Sequence, residues 1–182
     1  MTMDKKILLN SGEIERIIDD LSRTVFTDIT NLDDFAIVGI QSRGVELSER
    51  LRKKIEILAG RGILSGAVDI TFHRDDLTTR GKLPEIKETR IGFDISNKVI
   101  LLVDDVLYTG RTSKAALETI MSYGRPAAVK LLALVDRGNR ELPLQADYVG
   151  FRIETKANEK IQVFLHEADK VEDSVILYTE KD

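Results

Sequence analysis

Apolar and polar residues along this chain recur at two spacings. Asn10 is followed three positions later by Glu13, the pattern of a capping box, and Ile14, Ile17, Ile18, Leu21 and Val25 then recur at helical spacing. Residues 35–40 form a short apolar strand. Gln41, Ser42, Arg43 and Gly44 turn into a second helix, with Leu47, Leu51, Ile55 and Leu58 on one face. Val68, Ile70 and Phe72 alternate with Asp69 and Thr71, as in a strand with one wetter face. Over residues 73–92 the period disappears and charges crowd in, which predicts a long flexible loop of the kind that covers binding sites. Val99, Ile100, Leu101, Leu102 and Val103 read as a buried parallel strand. The helix after it uses Ala116, Leu117, Ile120 and Met121 and stops at Gly124 and Pro126. Residues 129–135, 148–151, 161–165 and 174–178 read as further strands. This alternation predicts an α/β fold with a doubly wound, mostly parallel sheet flanked by helices.

Composition narrows the class. The chain has 182 residues, no linker rich in Pro, Gly or Ser and no internal repeat, so residues 1–182 read as one domain. It has no cysteine, which excludes a disulfide scaffold and thiolate metal sites and fits the cytoplasm. The first residues lack the apolar stretch of a signal peptide, and no apolar run reaches the length of a membrane span. The net charge of −4 argues against a globally basic nucleic-acid binder.

The chemistry concentrates behind the strand that starts at Val99. It runs into two adjacent carboxylates, Asp104 and Asp105, then Val106, Leu107 and a loop of Tyr108, Thr109, Gly110, Arg111 and Thr112 that opens a helix. Carboxylates at the C-terminal end of a parallel strand sit where open α/β sheets bind ligands. Paired acceptors suit two vicinal ribose hydroxyls or a hydrated Mg²⁺. The loop offers backbone N–H groups, hydroxyls and the positive end of a helix to a phosphate. Ser42, Arg43 and Gly44 occupy the same kind of place after the first strand, with an arginine suited to phosphate oxygens. A third strand end carries Val135, Asp136, Arg137 and Gly138, then Arg140. Its backbone groups could read the edge of a base, and the Arg137 guanidinium could stack on the base or hydrogen-bond to it.

The stretch from Val99 to Thr112 resembles the phosphoribosyl-pyrophosphate (PRPP) motif of the type I phosphoribosyltransferases. With Asp69, Ile70, Thr71, the run Arg74 to Thr78, the Asp136-Arg137-Gly138 turn, the Arg140-Glu141-Leu142-Pro143 run and the run Ala146 to Gly150, the order is similar to that of the PyrR family. That resemblance implies a small hood over the sheet and a uracil phosphoribosyltransferase converting uracil and PRPP to UMP and pyrophosphate with Mg²⁺. It implies PRPP contacts from Ser42, Arg43, Gly44, Arg74 and residues 104–112. It also implies base contacts from Val135, Asp136, Arg137 and Val163, catalytic roles for Asp104, Asp105 and Arg137, and Mg²⁺ held by Asp104 and Asp105 through water. A non-proline cis peptide is implied between Ser42 and Arg43.

The family further implies a homodimer or higher homo-oligomer and UMP-responsive binding to a pyrimidine-leader mRNA hairpin, with Arg140, Arg152 and Lys156 as candidate RNA contacts. Departures bear on that second role. The first helix carries Glu13, Glu15, Asp19, Asp20 and Asp28, and Asn139 and Gln145 stand where the family often has His and Arg. Fewer cations predict weaker RNA affinity. His166, where the family often has Asp, reads as an exposed imidazole at a strand end. Tyr108 stands where purine-using relatives carry a carboxylate, which fits a pyrimidine substrate. Two other readings stay open: a nucleotide-sensing RNA-binding regulator with little catalysis, and a phosphoribosyltransferase for another base.

Overall fold

The computed structural model describes residues 3–70 and 88–180. Arg74, His73 and most of the expected loop lie outside these residues.

Five parallel strands build the central sheet: β2 (Phe35–Ile40), β3 (Leu64–Val68), β4 (Val99–Leu107), β5 (Ala128–Asp136) and β6 (Tyr148–Arg152), in the order β3-β2-β4-β5-β6. Burial on both faces explains the apolar runs of the central strands β2 and β4. In β4, Leu101 and Val103 join the cluster formed with α1 (Ser11–Asp28) and α2 (Arg43–Ala59). The alternate residues Ile100 and Leu102 join the cluster under α3 (Arg111–Ser122). The sheet is therefore covered on both sides, as a doubly wound arrangement requires.

Helix α1 starts with the expected capping box. The Glu13 N–H donates to Asn10 Oδ1 at 3.0 Å, and the Asn10 N–H donates to Glu13 Oε2 at 2.8 Å. Ile14, Ile18, Leu21 and Val25 are buried. In α2, Leu47, Leu51 and Ile55 are buried, whereas Leu58 is exposed. In α3, Ala116 and Ile120 are buried, whereas Met121 is exposed. Both exposed residues have helical spacing but fall at the margin of the covered stripe.

A second sheet, antiparallel and ordered β1-β8-β7, forms the hood: β1 (Met3–Leu9), β7 (Glu159–Phe164) and β8 (Ser174–Glu180). The short helix α4 (His166–Asp169) joins β7 to β8. Ile161, Val163, Leu165 and Val175 carry the α1–α2 core into the hood.

Two expectations are corrected. Of the strand read over residues 68–72, Val68 ends β3, which starts at Leu64 and whose ladder with β2 stops where Val68 meets Ile40, so Asp69 and Ile70 follow the strand, and Thr71 and Phe72 lie outside the described residues. The cis peptide joins Gln41 to Ser42, one residue earlier than expected.

Candidate active site

The start of α2, the end of β4 with the loop after it, Arg137 just past β5 and the hood strand β7 surround a cavity of about 170 Å³. Strand β4 does not stop at the acid pair but continues to Leu107, with Asp104 opposite Ala133 and Leu107 opposite Asp136. Both carboxylates line the cavity. Asp104 is buried, Asp105 is half-buried, and the Asp105 N–H donates to Asp104 Oδ1 at 2.9 Å.

Val106, Leu107, Tyr108, Thr109, Gly110 and Thr112 continue the lining. Gly110 caps α3 with φ of 93°, a conformation glycine adopts without strain. The turn sets Thr109 and Thr112 at the N-terminus of a twelve-residue helix, where N–H groups and the helix dipole favour an anion. Arg111 lies outside the cavity lining and pairs with Glu141 at 2.6 Å.

Gly44 packs so closely under β4 that a Cβ on it would lie 2.5 Å from the Val103 carbonyl oxygen. Arg43, the first residue of α2, reaches the cavity. Its Nη2 and Nε donate to the two carboxylate oxygens of Asp169 at 2.7 and 3.0 Å. Ser42 and Gly44 flank it without lining the cavity.

Arg137 lines the cavity and is buried. Its guanidinium lies over the Tyr108 ring, 3.9 Å from the centroid. Nε donates to Thr155 Oγ1 at 2.9 Å and Nη2 to the Glu159 carbonyl at 2.7 Å. Burial lowers its pKa from the ordinary arginine value, against the opposing pull of Tyr108 and Glu159. Arg137 thus ties the loop after β4 to the start of the hood strand β7 and the segment before it. Val135 and Asp136 sit at the end of β5 outside the lining, and Val163 lines the cavity from β7.

Arg140 is drawn into the same scaffold. It donates to the carbonyls of Tyr108 at 2.6 Å, Gly138 at 3.0 Å and Leu144 at 3.1 Å, and pairs with Asp136 at 2.6 Å. Arg152 and Lys156 are exposed. His166 is exposed at the start of α4.

The lining also includes Ser113, Lys160, Ile161 and Gln162, which sequence reasoning did not single out. Ser113 follows the loop directly in the first turn of α3. Gln162 belongs to the strand read over residues 161–165, and Lys160 directly precedes that span, inside β7.

Among the described residues no cluster of three or more His, Cys, Asp or Glu side chains forms a cation cage. Two adjacent carboxylates nevertheless fit Mg²⁺, which keeps several waters and binds through one or two carboxylates plus substrate phosphates.

The family model for the phosphoribosyl transferase domain matches residues 4–169, and sheet, loop and acid pair place the chain in the phosphoribosyltransferase class. The hypoxanthine phosphoribosyltransferase of Trypanosoma cruzi shares the fold with a TM-score of 0.72 and 15% identity, over 97% of each chain. The bifunctional protein PyrR of Desulfosudis oleivorans is 45% identical over 181 residues, 98% of this chain and 99% of that protein. That of Deinococcus deserti is 42% identical over 182 residues, 100% of this chain and 99% of that protein. The chain belongs to the PyrR family.

Proposed function

We propose that the protein transfers the phosphoribosyl group of PRPP to uracil, giving UMP and pyrophosphate. The observation that carries this reading is the convergence of the Asp104–Asp105 pair and the Thr109–Gly110 loop on one cavity under the hood. The loop and the N-terminus of α3 take the 5′-phosphate through backbone N–H groups and the hydroxyls of Thr109 and Thr112. Asp104 and Asp105 accept from the ribose hydroxyls. Pyrophosphate lies toward Ser42, Arg43 and Gly44, and Arg74 is the loop cation assigned to it. The base lies between the end of β5 (Val135, Asp136, Arg137) and Val163 on β7.

As pyrophosphate departs, positive charge develops on the ribosyl ring. The two carboxylates stabilise it through space. Uracil N1 then bonds to C1′ and releases its proton. Mg²⁺, held by Asp104 and Asp105 through water, would neutralise pyrophosphate charge when bound.

The PyrR relatives are named bifunctional, and we assign the second function to RNA, a pyrimidine-leader mRNA hairpin bound in response to UMP. Arg152 and Lys156 are the exposed cations that support phosphate contact. Exposed Ile57 and Leu58 on α2 support assembly into homo-oligomers. We place the protein in the cytoplasm, in keeping with a chain that lacks cysteine.

The test is UMP formation from uracil, PRPP and Mg²⁺, with hypoxanthine, guanine and orotate in parallel. UMP from uracil alone is expected, and Asp105→Asn should cut turnover by about 10²-fold or more with little change in thermal stability. Equal turnover in that variant would remove the role of the acid pair. Product from a purine would reassign the base.

A further inference from the structure

The hood places a carboxylate beside a site built for polyanions. Asp169, on α4, lies within reach of the cavity's Arg43 and accepts from the Nε–Nη2 edge of its guanidinium, at 3.0 and 2.7 Å. Through-space repulsion from such a carboxylate weakens anion binding, so its presence there calls for a compensating role. The geometry supplies one. Asp169 is itself fixed, because its Oδ2 accepts the Leu165 N–H at 2.9 Å. The helix that carries it is tied to α2 a second time, since Arg50 ion-pairs with both Glu167 and Asp173, and Asp173 accepts the His166 N–H at 2.8 Å. The Phe164 ring lies 6.0 Å from the Arg43 guanidinium and walls it on another side. Burial raises the Asp169 pKa, but the Arg43 fork and the Leu165 N–H outweigh it and keep the carboxyl below its ordinary value, so it is ionised at neutral pH.

We propose that Asp169 is a positioning residue that acts through Arg43, orienting its guanidinium toward the pyrophosphate of PRPP and linking the base-side strand β7 to the pyrophosphate loop. The assignment rests on the reading that Arg43 faces pyrophosphate. A planar fork clamped along one edge by a carboxylate presents its other N–H groups in a fixed direction, which lowers the ordering cost of binding. The alternative role for the same carboxylate is a competitor that occupies Arg43 until pyrophosphate displaces it, and the two roles have opposite signs.

The experiment is calorimetry of PRPP and of inorganic pyrophosphate with the full chain, Mg²⁺ present, alongside steady-state kinetics. Asp169→Asn should weaken both ligands about tenfold and raise the KM for PRPP alike, with the KM for uracil unchanged. In an Arg43→Ala background the same change should have no further effect, since the residue acts through that arginine. Arg43→Lys, which keeps a cation but loses the fork, should weaken PRPP to a similar extent, and this readout stands even if Asp169→Asn does not fold. Tighter or unchanged binding in Asp169→Asn, an added loss in the Arg43→Ala background, a parallel rise in the KM for uracil, or wild-type affinity in Arg43→Lys would each overturn the assignment. If the wild-type protein binds neither ligand, the function reading falls and this assignment with it. If the wild type binds and only the variants behave otherwise, the assignment alone falls.

Discussion

Arg140→Met tests whether this arginine serves RNA or the enzyme's own loop. Methionine keeps much of the aliphatic stem and removes every donor. Three backbone carbonyls within 3.1 Å, those of Tyr108, Gly138 and Leu144, lose a charged partner, and the Asp136 carboxylate loses its ion pair. The side chains of Arg140 and Asp136 are 20% and 15% exposed, so water reaches part of what is vacated. Discounting each contact for that access leaves a total cost of about 2–3 kcal/mol. For a domain of this size the midpoint of thermal unfolding should fall by about 4–12 °C. The loop would not be lost altogether, because the Glu141 and Leu142 N–H groups still donate to the Thr109 carbonyl at 2.9 and 3.1 Å. Affinity for PRPP should therefore drop while some turnover survives. Circular dichroism on heating and the KM for PRPP measure the two effects, and hairpin binding is followed in parallel. A variant with unchanged midpoint and unchanged KM, but with lost RNA binding, would refute this reasoning and return Arg140 to the RNA face.

Two further perturbations follow from the packing and the charges. Gly44→Ala drives a Cβ to 2.5 Å from the Val103 carbonyl oxygen and 3.3 Å from the Asp104 Cα, so the start of α2 must retreat from β4. A loss of about 1–3 kcal/mol in denaturant unfolding and a raised KM for PRPP are expected. Stability should also respond to pH at both extremes. The carboxyls of Glu167, Asp169 and Asp173 lie below their ordinary values, because their arginine partners outweigh burial, so their contribution is complete above about pH 5 and is lost as pH falls through the lowered values. Tyr148 is pushed up to about 12 by burial and by its hydrogen bond to Asp28, so its contribution is present below about pH 10 and lost as pH rises through 12. Absorbance at the tyrosinate band should show a late-ionising group that Asp28→Asn moves to lower pH.

Much of this architecture is legible because burial on both faces leaves a plain mark. Strands β2, β4 and β5 are central and parallel, so each appears as a mostly apolar run, interrupted in β5 by the exposed Lys130. Edges are harder. Leu64, Ser65 and Gly66 of the edge strand β3 show no apolar alternation, and the eye moves on to Val68 and Ile70, which are buried but straddle the end of the ladder. Strand β1 begins with Met3, Asp4, Lys5 and Lys6, all exposed at the edge of the hood sheet, and nothing in its spacing distinguishes it from a solvated terminus. Leu58 and Met121 show the reverse error: periodicity reports the angular position of a side chain but not whether anything covers it.

The same distinction governs the site. Asp104, Asp105 and the Thr109–Gly110 turn are contiguous in sequence, and their chemistry needs only the strand end and the helix start that flank them. Arginines carry no such local mark, because a guanidinium on a long stem takes its role from whatever stands within several ångströms. Arg137, expected as a base contact, lines the cavity with Tyr108, Thr155 and Glu159 around it, and Arg140, expected as an RNA contact, is hydrogen-bonded to Leu107, Tyr108, Asp136, Gly138 and Leu144. Arg43 reaches the expected cavity, but in the grip of Asp169, a residue 126 positions away in sequence. Thr155, Glu159 and Asp169 come from the hood or the segment leading to it, whereas the partners of Arg140 lie at the ends of β4 and β5 and in the segment after β5. The hood is thus more than a cover: through Arg43 and Arg137, the start of α2 and the loop after β4, which line the cavity, are held by elements that the phosphoribosyl motif does not contain.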